Sequence, residues 1–238
     1  MELRRGQRAV VRIGHRGAPL VAPENTIPSL EAALSLGVDV VEIDVLARTD
    51  GTLLVAHSPA GVARRDTPTL DEALAFLAER GADVQLDLKG RGLETRVADA
   101  VRRFGLVERS LVSTPSVGSL RALAAAEPRL ARALTYPDDR FGLTGRRAIR
   151  PAVSPALAAM RAALPARLPR RLLRAGAGVA TLDWRVVTPA VIRRCHEVGA
   201  AVYAWTVDDP HVAQTLVQAG TDGIITNDPG IFDGLLTT

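Results

Sequence analysis

Short runs of β-branched and apolar residues recur along the chain, each followed by a longer Ala/Leu-rich stretch with helical spacing. The strand-like runs fall at residues 9–15, 38–46, 83–88, 110–113, 130–136, 178–184, 200–206 and 222–226. Helical stretches lie between them at 26–36, 70–79, 93–104, 117–125, 155–174, 189–198 and 210–219, with a last short one after Pro229. Several begin beside Pro, Ser or Thr and stop at a glycine, as at Gly37, Gly81, Gly199 and Gly220. Eight apolar strands alternating with helices imply parallel pairing through right-handed crossovers. The count and length predict an α/β fold, a closed (β/α)8 TIM barrel built as a single domain over residues 1–238. An open doubly wound sheet is the competing arrangement. No Gly-x-Gly-x-x-Gly follows the first run, which argues against its dinucleotide-binding form. One additional run, 52–57, breaks the alternation after Asp50-Gly51, a hairpin-type turn signal.

Composition narrows the class. With 47% hydrophobic and 24% charged residues over 238 positions, the chain reads as an ordinary soluble globule. The single cysteine, Cys195, excludes a disulfide framework. No apolar run reaches the 18 residues of a membrane span. The basic N-terminus lacks the long apolar stretch of a signal peptide, so a cytoplasmic location is expected. Of 30 basic residues 29 are Arg, and the sole lysine, Lys89, marks a place where guanidinium does not substitute for ammonium. The net charge of +4 hides an asymmetry, because residues 140–182 carry nine Arg and no acid. This Arg-rich lobe, at about 138–176, reads as a cover over the barrel mouth in peripheral contact with an anionic membrane. A solvated helix pair is the other reading of the same charge run. At 3% aromatic residues, the chain has too few stacking platforms for a nucleic-acid partner.

The polar residues collect where a barrel does chemistry, at the carboxyl ends of the strands. His15-Arg16-Gly17 ends the first run, and Glu42-Ile43-Asp44 the second, with its two acids on one face. Asp87 and Lys89 share a face at the end of the third, and His57 ends the additional run. Three carboxylates, Glu42, Asp44 and Asp87, converging in a barrel mouth repel one another, and a divalent metal removes that conflict. An all-oxygen set favours Mg2+ or Ca2+. Two histidines beside such a metal suit acid–base work on a phosphoryl group. Arg16 can fork onto phosphate oxygens, and Lys89 adds a point charge. His196 and His211 fall on helices and read as structural.

The order His15-Arg16-Gly17, Pro23-Glu24-Asn25-Thr26, Glu42-Ile43-Asp44-Val45, Thr49-Asp50-Gly51 and His57 resembles the glycerophosphodiester phosphodiesterase family. Trp205-Thr206-Val207-Asp208 and the stretch from Gly220 to Pro229 are similar to that family's closing signature. The resemblance implies a barrel enzyme that cleaves a small-molecule phosphodiester to a phosphomonoester and an alcohol with a divalent metal. It implies His15 and His57 as the acid–base pair, Glu42, Asp44 and Asp87 as metal ligands, and Arg16 and Lys89 on the phosphate. Glu24 and Asn25 would order the first loop, and Trp205 would line the pocket. Three features depart from the family pattern: Asp87 replaces a Glu, Ser58 replaces an Asp after the second histidine, and the insertion after His57 is nearly absent. The Asp-x-Lys and short insertion also resemble the spider-venom sphingomyelinase D phospholipases. That resemblance implies a lyase acting on a lysophospholipid or sphingolipid to give a cyclic phosphate. A non-catalytic barrel binding anionic ligands or membranes is the third reading.

Overall fold

The computed structural model describes residues 2–4, 9–64, 66–138 and 150–235, the first seven of the last stretch as backbone only. The eight apolar runs become eight parallel strands that close into a ring. Strand β1 (Val11–Gly14) pairs with β2 (Val40–Ala47), and the ring continues through β4 (Asp83–Leu88), β5 (Ser110–Thr114), β6 (Ala131–Tyr136), β7 (Val179–Asp183), β8 (Ala201–Trp205) and β9 (Gly223–Thr226). Pairing of β9 back onto β1, Val11 with Gly223 through Gly14 with Thr226, closes the barrel and removes the open-sheet alternative. The additional run forms β3 (Leu53–Val55), antiparallel to β2. Since β4 holds one edge of β2 along residues 40–45, β3 takes the edge that β1 vacates after Val41. That placement returns His57 to the barrel mouth.

Helices α1 (Ile27–Ser35), α2 (Pro59–Val62), α3 (Leu70–Glu79), α4 (Glu94–Arg103), α5 (Val117–Ala126), α6 (Arg150–Ala175), α7 (Pro189–His196) and α8 (Pro210–Gln218) surround the ring. Their starts obey local chemistry. Thr26, Thr69, Thr188 and Asp209 cap α1, α3, α7 and α8 through their side-chain oxygens, and Thr69 with Glu72 forms a capping box. The four helix-terminating glycines all have positive φ. Ser58, where the resemblance leads one to expect Asp, caps the single turn of α2. Helix α6 runs down the flank to β7, so Arg174 lies toward the barrel's amino-terminal end, and residues 139–149 lie outside the described set. No helix among the described residues is long and apolar enough to cross a membrane.

Alternation along the strands sorts the core into two. Outward residues such as Val41, Ile43, Val84, Leu86 and Leu182 lie under the helices in one continuous core with the fully buried Leu70, Leu74 and Leu77 of α3. Each such leucine contributes about 1.5–3 kcal/mol. Inward residues Ile13, Val40, Leu111, Ala133, Val179, Ala201, Tyr203 and Ile225 fill the lower barrel. The Tyr203 hydroxyl donates to Leu3 O at 3.0 Å, tying the N-terminal segment across the barrel's lower opening. The ring of Tyr203 fits only because its neighbour is glycine, as a Cβ on Gly223 would sit 2.6 Å from it. Gly223→Ala is therefore expected to destabilise the protein by about 1–3 kcal/mol, read by urea denaturation. Unchanged stability would contradict this packing.

Candidate active site

Above the apolar layer, the inward positions turn polar. Parallel register sets Asp44 beside Asp87, Asp87 beside Ser113, and Asp183 beside Trp205, all facing the barrel axis. Glu42, Asp44 and Asp87 each offer a carboxylate oxygen within 4.8 Å of the others. Two oxygens sharing one ion at about 2.1–2.5 Å lie no more than about 5 Å apart, so the spacing fits one divalent cation. Asp44 Oδ1 is buried and has no aligned hydrogen-bond donor, although Lys89 Nζ lies 2.8 Å away. Three hard oxygen donors at this spacing suit Mg2+ or Ca2+ chemistry.

Asp44 is the hub. Asn25 Nδ2 donates to its Oδ2 at 2.9 Å, and Asn25 Oδ1 accepts from its backbone N at 3.1 Å. Arg16 Nε lies 2.9 Å from the same Oδ2, and Lys89 bridges Asp44 and Asp87. Burial works against charge on Asp44, but Lys89, the His57 hydrogen bond and Arg16 outweigh it and hold the acid well below its usual range. Burial and the facing Asp44 carboxylate instead push Glu42 well above its usual range. Lys89 is likewise disfavoured by burial, yet Asp87, Asp44 and Glu42 raise its ammonium above the ordinary value.

Arg16 occupies a strained turn. Its φ is 56°, in the left-handed region uncommon for a long side chain, and Asn25 has φ 59°. The turn is held on every side. Arg16 N donates to Glu42 Oε2 at 2.8 Å, and its carbonyl accepts from Asn25 N and Ser29 Oγ, each at 3.0 Å. Gly17 must follow, because a Cβ there would sit 2.5 Å from Ser29 O. The guanidinium is thereby aimed at three groups: Glu24 at 2.8 Å, Asp44, and His57 Nδ1 at 2.9 Å. His57 Nδ1 also lies 3.2 Å from Asp44 Oδ2. Arginine only donates, so Nδ1 either accepts from Arg16 or, protonated, donates to Asp44.

His15 has one tautomer that satisfies its neighbours. Asp208 accepts from Asn227 N and from Asn227 Nδ2, both at 2.8 Å. With its amide nitrogen committed, Asn227 presents Oδ1 to His15 Nδ1 at 2.7 Å. An acceptor there requires the proton on Nδ1, leaving a lone pair on Nε2. Burial and the Arg16 cation lower the His15 value to about 4, so the imidazole is neutral at neutral pH.

The structure thus gathers His15, Arg16, Glu24, Asn25, Glu42, Asp44, His57, Asp87 and Lys89 at one end of the barrel. Glu24 reaches only Arg16 and lies outside the carboxylate triad. Trp205 faces inward beside Asp183, and its indole Nε1 is buried without a partner. Asp183 is held by Arg185 through Oδ1 at 2.9 Å and Oδ2 at 2.6 Å. Sequence patterning assigns no role to Asp208, Asn227, Ser113 or Gln85. The first two sit in the closing signature, and barrel closure, which sets Thr226 beside Gly14, is the signal that brings Asn227 to His15. His196 pairs with Asp222 at 2.7 Å, just before β9 begins at the barrel's amino-terminal end.

The model of the glycerophosphoryl diester phosphodiesterase family matches residues 15–68 and 66–231, and the chain belongs to that family. It is 26% identical over 252 residues to a glycerophosphodiester phosphodiesterase from Caldanaerobacter subterraneus, covering 91% of this chain and 93% of the relative. Two solved structures share the fold. One is an Oleispira antarctica phosphodiesterase in complex with the product sn-glycerol-3-phosphate, with TM-score 0.73, 22% identity, and coverage of 94% of this chain and 96% of that one. The other is a glycerophosphodiester phosphodiesterase from Agrobacterium tumefaciens, with TM-score 0.71, 21% identity, and coverage of 94% and 99%.

A histidine whose folded value lies below its unfolded value of about 6.5 adds stability above that pH. The contribution is lost as pH falls toward the folded value of about 4. Nitrogen-15 NMR of chelator-treated protein should show His15 as the Nδ1–H tautomer, titrating near 4. An Nε2–H tautomer would overturn the Asp208–Asn227 assignment, and a midpoint near 6.5 would contradict the effect of burial and the Arg16 cation.

Proposed function

We propose that the chain hydrolyses a glycerophosphodiester to glycerol phosphate and an alcohol, using His15 and His57 beside a divalent metal held by Glu42, Asp44 and Asp87. The observation that carries this reading is the carboxylate triad flanked by two imidazoles. Neither imidazole Nε2 has a hydrogen-bond partner among the described residues. A cation held by the triad supplies positive charge for the phosphate's developing negative charge. His15, neutral and fixed through Nδ1, accepts through Nε2 the proton of the attacking water as its oxygen bonds to phosphorus. His57, beside Asp44, gives a proton to the leaving alcohol oxygen as the other P–O bond breaks. Arg16 and Lys89 orient the phosphate's non-bridging oxygens while staying anchored to the carboxylates beneath. Trp205 lines the far wall.

One observation favours a second reading. Leu20 and Val21, in the loop between β1 and α1 at the mouth, are 70% and 65% exposed. An acyl chain packed on that pair would make a lysophospholipid the substrate, with its own hydroxyl attacking phosphorus, its proton taken up by one histidine, and the headgroup alcohol leaving protonated as its P–O bond breaks, to give a cyclic phosphate. Peripheral binding to anionic lipid draws on α6, where exposed Arg161, Arg167, Arg170 and Arg174 have no carboxylate partner among the described residues.

Phosphorus NMR separates these readings. A monoester peak from glycerophosphocholine that disappears with chelator is the expected result, and a cyclic-phosphate peak from lysophosphatidylcholine alone would select the second. Product from neither would overturn both. His15→Ala and His57→Ala should each slow turnover by about 10²-fold or more without unfolding the protein. Wild-type rates in both variants would remove the acid–base assignment. Cosedimentation with phosphatidylglycerol vesicles, weakening with salt, is expected of the α6 flank; equal recovery with phosphatidylcholine would contradict a charge-based contact.

A further inference from the structure

Asp87 is one methylene shorter than the Glu that the resemblance leads one to expect, so its carboxylate needs help to stand where a longer ligand would. Two inward residues of the same layer provide it. Ser113, in register with Asp87 on the neighbouring strand β5, donates from Oγ to Asp87 Oδ1 at 2.7 Å. Gln85, one inward position below Asp87 on β4, donates from Nε2 to Ser113 Oγ at 3.1 Å. Ser113 is completely buried and Gln85 is nearly so.

The direction of this chain is determined. A carboxylate only accepts, so the single Ser113 proton goes to Asp87. The Ser113 oxygen then has lone pairs to accept the Gln85 amide proton. The amide orientation is costly in one respect, since Gln85 Oε1 is left buried with no partner. Flipping the amide would place two acceptors, Oε1 and the committed Ser113 oxygen, against each other. The orphaned oxygen is thus the cost of holding the serine proton on Asp87. On the other side Lys89 engages Asp87 Oδ2. The carboxylate is gripped at both oxygens, which fixes its rotation in the barrel mouth.

We infer that Ser113, oriented by Gln85, is a positioning residue that sets Asp87 as a metal ligand and so tunes the affinity of the three-carboxylate site. This rests on the metal reading above. Partners that orient a ligand in this way typically account for 10- to 100-fold in metal affinity.

The test is calorimetric titration of Mg2+, and separately Ca2+, into the chelator-stripped full chain. Ser113→Ala is expected to weaken binding by about 10-fold or more. Its metal-free melting temperature should fall, because Gln85 Nε2 and Asp87 Oδ1 each lose a buried partner, so affinities are compared well below the melting temperatures of both proteins. Gln85→Met, close in volume and lacking the orphaned oxygen, should weaken binding less than Ser113→Ala. The double variant should bind as Ser113→Ala alone does, since Gln85 acts through the serine. Additive losses, or an unchanged affinity in Ser113→Ala while the wild type binds, would overturn the relay and leave the metal reading intact. If Ser113→Ala does not fold, Gln85→Met alone decides, with unchanged affinity as the contradicting result. No saturable binding by the wild type would overturn the metal reading and the relay together.

Discussion

A fully buried Asp44 carboxylate is the constraint on which the rest of the site depends. An isolated carboxylate there would be expensive, so the protein surrounds it: Asn25 donates from one side, Arg16 and Lys89 bring two positive charges, and His57 stands at its edge. The partners come from three parts of the chain, so satisfying one carboxylate draws the β1–α1 loop, the segment after β3 and the end of β4 together. The strained Arg16 backbone follows from the same demand, because only that turn lets its N–H reach Glu42 while its guanidinium reaches Asp44. Glu42 and Asp87 add two more acids to the neighbourhood, and the resulting cluster of oxygen donors has a spacing that fits a divalent cation.

The barrel supplies the geometry for this. Its lower half is filled with aliphatic side chains and Tyr203, so the polar layer rests on a packed floor. Inward alternation then decides which groups meet. Asp44, Asp87 and Ser113 are successive neighbours around the ring because their strands pair in register, with no loop adjusting their spacing. Loops contribute Arg16, Asn25 and Asn227, each locked by side-chain hydrogen bonds to a strand or to another loop.

Much of this arrangement is legible in the sequence, and the remainder is hidden for identifiable reasons. The period-two pattern by itself places Glu42 with Asp44, and Asp87 with Lys89, and the alternation of strands and helices gives the barrel. Asp50-Gly51 announces the hairpin that returns His57 to the mouth. The role of Asn227 is not legible, because it depends on the last strand meeting the first and on Asp208 fixing the amide's orientation. Ser113 reads only as a strand end until strand register pairs it with Asp87. The Arg-rich segment shows another limit: composition reveals the charge, but only the crossover to β7 shows that its last arginine, Arg174, lies toward the barrel's amino-terminal end.

Whether the three carboxylates of the mouth hold one divalent cation is the question on which the functional reading turns. Anomalous diffraction from crystals soaked in Mn2+, an ion of similar oxygen preference, tests it most directly. A single strong anomalous peak within coordination distance of Glu42, Asp44 and Asp87 is the predicted result. A peak elsewhere on the barrel, or none at the mouth with the carboxylates held by protein partners alone, would contradict it.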